Sequence, residues 1–429
     1  SASRSRVAVS WPSAMILRNR DRIMNTRHLI PVALLFASLI GCSDGDTGWT
    51  GTISDSAGVA IVSNPEQRIW APGEEWVLEK ELRIGGVEGD PDYLFGDVWG
   101  VTVDSHGRVF VLDFQEQHIQ VYSPEGIYEQ TIGRQGEGPG EFRAAVSLLI
   151  GPGDTLLVQD NRLFRINRFA PDGSSAGSYR MQLDDRHPEA SKATASGVIA
   201  EQFQYPDSPG QPAVNDPTDA IALVATNGEI LDTLLTYSSL AARGVYFFER
   251  GVSWDITDGP NLVFGDSDEY RLEIRSENRL KRIITKPFRS EPISDQEKAS
   301  ILDRCEQAAI ESGAPEDWVA RRRPSTHVAD RGPAFRTIAF GPSRTIWVQR
   351  VRPVSELLSQ EEPDFNDVGS RDWDILDPEG RFLGTLLMPP GFTPHVFRGN
   401  KLYGVLRDEL GVQHVVRFGI VGELDLETR

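Results

Sequence analysis

Three arginines, Arg143, Arg250 and Arg336, each stand just ahead of a short apolar run in which every second residue is hydrophobic. A guanidinium presents a planar fork of N–H donors that matches the paired oxygens of a carboxylate or a sulfate. Gathered at one mouth, and joined there by Trp254 and His395, these side chains would hold a small anionic or polar ligand. The competing reading is structural. With 63 Asp and Glu against 44 Lys and Arg, each arginine has carboxylates to choose from, and exposed ion pairs of that kind contribute little. A second chemistry is open to Asp97, Glu141 and Asp255, which could contribute oxygens to a divalent cation such as calcium. A ring of oxygens drawn from separate segments needs no local motif, although lone carboxylates in an acidic chain are ordinarily solvated surface.

Other reaction classes find little support. The seven histidines are His28, His106, His118, His187, His327, His395 and His414, and none is paired at a metal-ligand spacing. No nucleophile elbow is expected. The glycines from Gly133 to Gly140 lead into no helix and no Lys-Ser or Lys-Thr pair, so they read as a loop rather than a phosphate cradle. No catalytic residue and no resident cofactor are assigned, and the chain is read as a binding module rather than an enzyme. The formal net charge is −19, and because residues 1–41 carry six Arg against one Asp, the remainder stands at −24. Such a chain repels nucleic acid, so partners are sought among proteins and small anions.

The two cysteines, Cys42 and Cys305, are too few for a disulfide framework. Cys42 follows Met24-Asn25-Thr26-Arg27 and an apolar run from Leu29 to Ile40, too short for a membrane-spanning helix and suited to an export signal. Leu39-Ile40-Gly41-Cys42 resembles the lipobox of bacterial lipoproteins. That resemblance implies cleavage before Cys42, acylation of its thiol and a membrane as partner, with the folded part on the periplasmic side of the outer membrane or at the cell surface. Residues 1–23 are then an upstream extension, 24–41 the signal peptide, 42–54 a flexible tether and 55–429 the folded domain.

What positions the candidate residues is a repeat. Val101-Thr102-Val103, a turn at Asp104 to Gly107, Val109 to Asp113, Ile119 to Tyr122, a turn at Pro124-Glu125-Gly126 and Ile127 to Ile132 form the clearest copy. Alternate apolar residues broken by glycine turns give the period of strands. The inner turn recurs at Gly151 to Asp154, Ser196-Gly197, Asp258 to Asn261, Gly341 to Arg344 and Arg398 to Asn400, making six copies. The outer turn recurs at Pro171 to Gly173, Thr226 to Gly228, Ser276 to Asn278 and Pro378 to Gly380, making five. The sixth unit therefore lacks a last strand, while Trp76 to Ile84 is a spare strand ahead of the first. The expected architecture is all-β: a six-bladed β-propeller closed by an N-terminal strand, which leaves no exposed sheet edge.

A helical insertion, about 292–330, separates the fourth and fifth blades. Ser294-Asp295-Gln296-Glu297 spells a capping box. Ile301, Cys305 and Ala309 follow at i, i+4 and i+8, so Cys305 reads as a small core residue rather than a reactive thiol.

The first copy and its continuation, Thr131 to Phe142, resemble NHL-type repeats and the TolB-like six-bladed propeller lipoproteins of bacteria. The resemblance runs from about Asp55 onward and is dense through two blades. It implies ligand binding at the axial face, with a lactonase-type metal-dependent hydrolase as the enzyme alternative. Val111-Leu112-Asp113 becomes Val158-Gln159-Asp160 in the second copy and Val348-Gln349-Arg350 in the fifth.

Overall fold

The computed structural model describes residues 48–180, 187–193, 199–204, 218–225, 229–238, 245–257, 261–361, 363–365 and 367–422. Six blades of four antiparallel strands follow one another along the chain, five as four-stranded sheets and the fourth as part of a six-stranded sheet. Their innermost strands are Val98–Val103, Ala145–Ile150, His187–Ala193, Val252–Ile256, Thr337–Phe340 and Phe392–Arg398, in blades one to six. Innermost strands of blades one and two, two and three, four and five, and six and one pack against one another, while Trp254–Gln202 joins blades three and four and a shared apolar cluster joins five and six, so the ring is closed.

Burial follows position in the blade. The second strands Val109–Asp113 and Leu156–Asp160 are buried at every residue, because adjacent blades cover both of their faces, whereas the outermost strand Ser175–Arg180 is almost wholly exposed. Each aliphatic side chain sealed between blades contributes about 1.5–3 kcal/mol. Val111, Leu112, Ile119 and Val158 are among those that are fully buried.

The spare N-terminal strand closes the ring. Val77–Ile84 pairs antiparallel with Gln413–Val421, the third strand of blade six, from Val415 opposite Ile84 to Val421 opposite Val77. His414, fully buried, donates from Nδ1 to the Gly85 carbonyl at 3.1 Å. Glutamines stitch blade to blade: the Gln413 side chain accepts from the Val98 amide at 2.7 Å, and Gln117 accepts from the Ala145 amide at 2.9 Å.

Two features lay outside expectation. Thr52–Ser56 and Val59–Ser63 form a hairpin, and its second strand pairs in parallel with Arg279–Thr285 at the outer edge of blade four. Thr52 to Ser54, expected to belong to a flexible tether, are thus paired strand. The chain then runs along the edge of blade five, where the Trp70 amide donates to the Leu383 carbonyl. A second insertion, carrying the short helix Val354–Leu358, divides the second and third strands of blade five.

The helical insertion contains α1 (Asp295–Glu311) and α2 (Glu316–Arg322). The Ser294–Glu297 capping box is formed, and Ile301, Cys305 and Ala309 are the buried face of α1. They pack with Phe247, Ile293, Leu357 and Phe365. A bridge between Pro292 and Arg331 closes the neck. No helix among the described residues is long and apolar enough to cross a membrane.

Candidate functional site

The loops that lead into the inner strands are shaped by buried carboxylates. Asp160 ends the second strand of blade two, fully buried, and accepts from the amides of Arg143 (2.7 Å), Ala144 (3.3 Å), Arg162 (3.0 Å) and Leu163 (2.9 Å). Asp113 does the same in blade one for the amides of Gly96, Asp97 and Glu116. The recurring aspartate is thus a backbone organiser that fixes where Asp97 and Arg143 stand.

Two of the three arginine forks face carboxylates of neighbouring loops. Arg143 faces Glu137 at 3.6 Å, and Arg250 pairs with Asp266 at 3.1 Å and Asp268 at 3.9 Å. Arg336 is exposed and makes no ion pair with a described residue. Trp254 is 5 % exposed and donates from its indole N–H to Gln202 at 2.7 Å, which makes it cement between blades three and four rather than a ligand platform. The triple arginine at 321–323 is also consumed locally: Arg321 pairs with Asp317, and Arg323 with Asp303 and Glu306. Arg143, Arg250, Arg321 and Arg323 thus each have a carboxylate of a neighbouring loop or helix as partner, whereas Arg336 has none among the described residues.

The three carboxylates offered for a cation do not converge. Asp97 accepts from the Trp99 indole at 2.8 Å and lies beside Gln413. Glu141 folds back into the glycine loop, taking the Gly138 amide at 2.8 Å and Arg134 at 2.7 Å, contacts that hold its carboxyl below the usual range. That loop's amides therefore serve its own carboxylate. Among the described residues the group whose ligand atoms do approach one another is Asp104, His106 and Asp154, at the opposite ends of the inner strands. Asp104 is already taken there by two amides and the Arg108 guanidinium. Gly173-Ser174-Ser175-Ala176-Gly177 does spell Gly-x-Ser-x-Gly. Ser175, however, opens the exposed outermost strand of blade two, not a strand-to-helix elbow.

Three inner strands carry side chains that bear on one another electrostatically. Asp255, on the inner strand of blade four, accepts from the Phe340 amide at 2.8 Å and faces Lys192 Nζ of blade three at 3.5 Å. His395, on the inner strand of blade six, lies across the ring from blade three. Burial pushes its imidazole down to about 4, and the charge of Lys192 adds to that fall. By solvent contact the ring is only half-buried. The register slips between Pro394 and Val396, leaving His395 as the extra residue of a bulge, a device that re-aims a side chain. His395 and Asp255 were legible in the sequence. Lys192 was not, because its copy of the repeat is the most degenerate, and Cys42 lies outside the described residues.

At the sequence level, residues 88–169 match a family model described as a 6-bladed beta-propeller. No curated protein matches the chain. Among solved structures, it is similar to an exported protein of Bacteroides fragilis NCTC 9343, at 10 % identity and TM-score 0.50, over 84 % of this chain and 99 % of that one. It is also similar to a member of the DUF4221 family from Bacteroides vulgatus, at 13 % identity and TM-score 0.51, over 81 % of this chain and 99 % of the other. Six sheets in a closed ring, the matched segment and these likenesses agree: the chain is a six-bladed β-propeller.

Proposed function

We propose that the protein is a lipid-anchored binding module of the bacterial cell envelope that takes a small anionic ligand in its axial channel. The reading is supported by the meeting of Lys192, Asp255 and His395 from three separate blades. Lys192 supplies a cation beside the channel. His395, neutral at pH 7, can donate or accept one hydrogen bond without competing for the ligand's charge. Asp255 orients the ammonium and is itself held by the Phe340 amide. The recognising mouth is thus moved inward from Arg143, Arg250 and Arg336 to the channel wall.

Anchoring through Cys42 rests on the signal-like leader, and one structural neighbour is described as exported. The lactonase-type alternative draws no support from Asp97 and Glu141, whose oxygens are engaged elsewhere. The test is a capture from envelope extract with wild type, Lys192→Met and His395→Gln, followed by titration of the captured small molecule. The reading expects an anion whose affinity falls at least tenfold in both variants. A ligand bound equally by all three proteins, or one bound only after calcium loading, would overturn it.

A further inference from the structure

Away from the axis, a cavity of about 330 Å³ opens between blades four and five, lined by Tyr270, Lys286, Arg289, Arg350, Asp374 and Phe288 among others. Its floor is one carboxylate with four side-chain donors. Asp374, 1 % exposed, accepts on Oδ2 from Lys286 Nζ at 2.7 Å and from the Tyr270 hydroxyl at 3.1 Å. On Oδ1 it accepts from Arg350 Nε at 2.8 Å and from the Thr385 hydroxyl at 3.0 Å. Two cations share this one anion, so the floor carries a net positive charge.

The cavity's charge exceeds what the floor needs. Lys286, its side chain 9 % exposed, also lies over the Phe382 ring at 3.7 Å and is locked in place. Arg350 spends Nε and one terminal nitrogen on Asp374 and Thr385, while its other terminal nitrogen has no partner among the described residues and its side chain is 42 % exposed. Arg289 lines the same space, exposed, with no ion pair to a described residue. Among the described lining residues, Lys286, Arg289 and Arg350 stand against Asp374 and Glu66, in a chain whose formal charge is −19. One wall is apolar: Pro287, Pro333 and Phe288, the last 40 % exposed.

We propose that this interblade cavity is a second binding site, taking a small carboxylate with a compact apolar body, its anionic head on Arg350 and Arg289 and its body against Phe288. The volume lies at the lower end of small-molecule pockets, which limits the occupant to roughly one ring or a short branched chain. A carboxylate suits the paired N–H donors of Arg289 together with the remaining terminal nitrogen of Arg350. The buried floor fixes Arg350 in advance, so little side-chain entropy is lost on binding. The site exists because blade five has Arg350 where blades one and two have the organising aspartates Asp113 and Asp160. The substitution turns a loop-bracing position into a donor aimed at Asp374.

Benzoate is the probe, with benzamide as its neutral isostere and acetate as the head without the body, each titrated calorimetrically into the folded chain. Benzoate is expected to bind one to one and benzamide at least tenfold more weakly, with acetate also weaker than benzoate. Arg289→Ala, at an exposed side chain with no hydrogen bond or ion pair to a described residue, is expected to lose benzoate at least fivefold with an unchanged melting temperature, while His395→Gln leaves benzoate binding as it was. Absence of saturable benzoate binding in the millimolar range, equal affinity for benzamide, or no effect of Arg289→Ala would overturn the proposal. Equal loss in His395→Gln would place the carboxylate on the axis instead and refute it as well.

Discussion

The channel histidine makes stability depend on pH in a way that one substitution isolates. In the folded ring His395 titrates near 4, against 6.5 for a free imidazole, chiefly because burial penalises the imidazolium and secondarily because Lys192 repels it. The unfolded chain therefore binds the proton first. Between pH 6.5 and about 4 the unfolded state carries more protons than the native one, so stability falls as the pH falls through that window and levels off below it. Each tenfold step in proton affinity is worth 1.36 kcal/mol, which amounts to about 2.5 kcal/mol of lost stability by pH 4.5. The partly exposed ring is screened by solvent, which brings the figure nearer ~2 kcal/mol. Urea unfolding at pH 7.5 and at pH 4.5, on wild type and on His395→Gln, measures it, because the titrations common to both proteins cancel in the difference. Wild type is expected to lose about 2 kcal/mol more than the variant. Lys192→Met removes the secondary cause, so its loss is expected to fall between the two. Equal losses in wild type and His395→Gln would refute a ring whose proton affinity is set by burial and the Lys192 ammonium.

Three further outcomes follow from the geometry. Ile84→Ala empties a site that is 2 % exposed where the closing strand meets blade one, and the expected cost in urea unfolding is about 2–4 kcal/mol; a change under 0.5 kcal/mol would mean that the closing strand is dispensable. Asp160→Ala leaves amides of four residues without their acceptor, at a cost of about 3 kcal/mol or more, whereas Asp160→Asn keeps one acceptor oxygen and is expected to recover part of that loss. Burial pushes the Cys305 thiol up to about 12, so thiolate is scarce at pH 8 and iodoacetamide is expected to label Cys305 only in denaturant; labelling of the native chain at the rate of a free thiol would contradict its place in the insertion core.

Much of the scaffold could be read from the chain alone. Alternating apolar residues between glycine turns dictated strands, six inner turns against five outer ones left one strand to be supplied from the N-terminus, and Trp76 to Ile84 carried the pattern to supply it. The capping box at Ser294 and the 301, 305, 309 face of α1 were equally legible. These are local signals, since backbone sterics and side-chain alternation act over a few residues. The parallel docking of Val59–Ser63 on blade four was not legible, because nothing in either strand names its partner.

The sites depended on the tertiary fold. Whether an arginine meets a ligand or a carboxylate depends on which turn lies beside it, and Arg143 and Arg250 were each captured by neighbouring loops. Lys192 and His395 are 203 positions apart, and only closure of the ring brings the charge of one to bear on the other. Asp374 likewise gathers Tyr270, Lys286 and Arg350 from two blades. Strand formation is set by neighbours along the chain, whereas electrostatics acts through space, so the sequence determined the blades and the three-dimensional ring decided which charges would face one another.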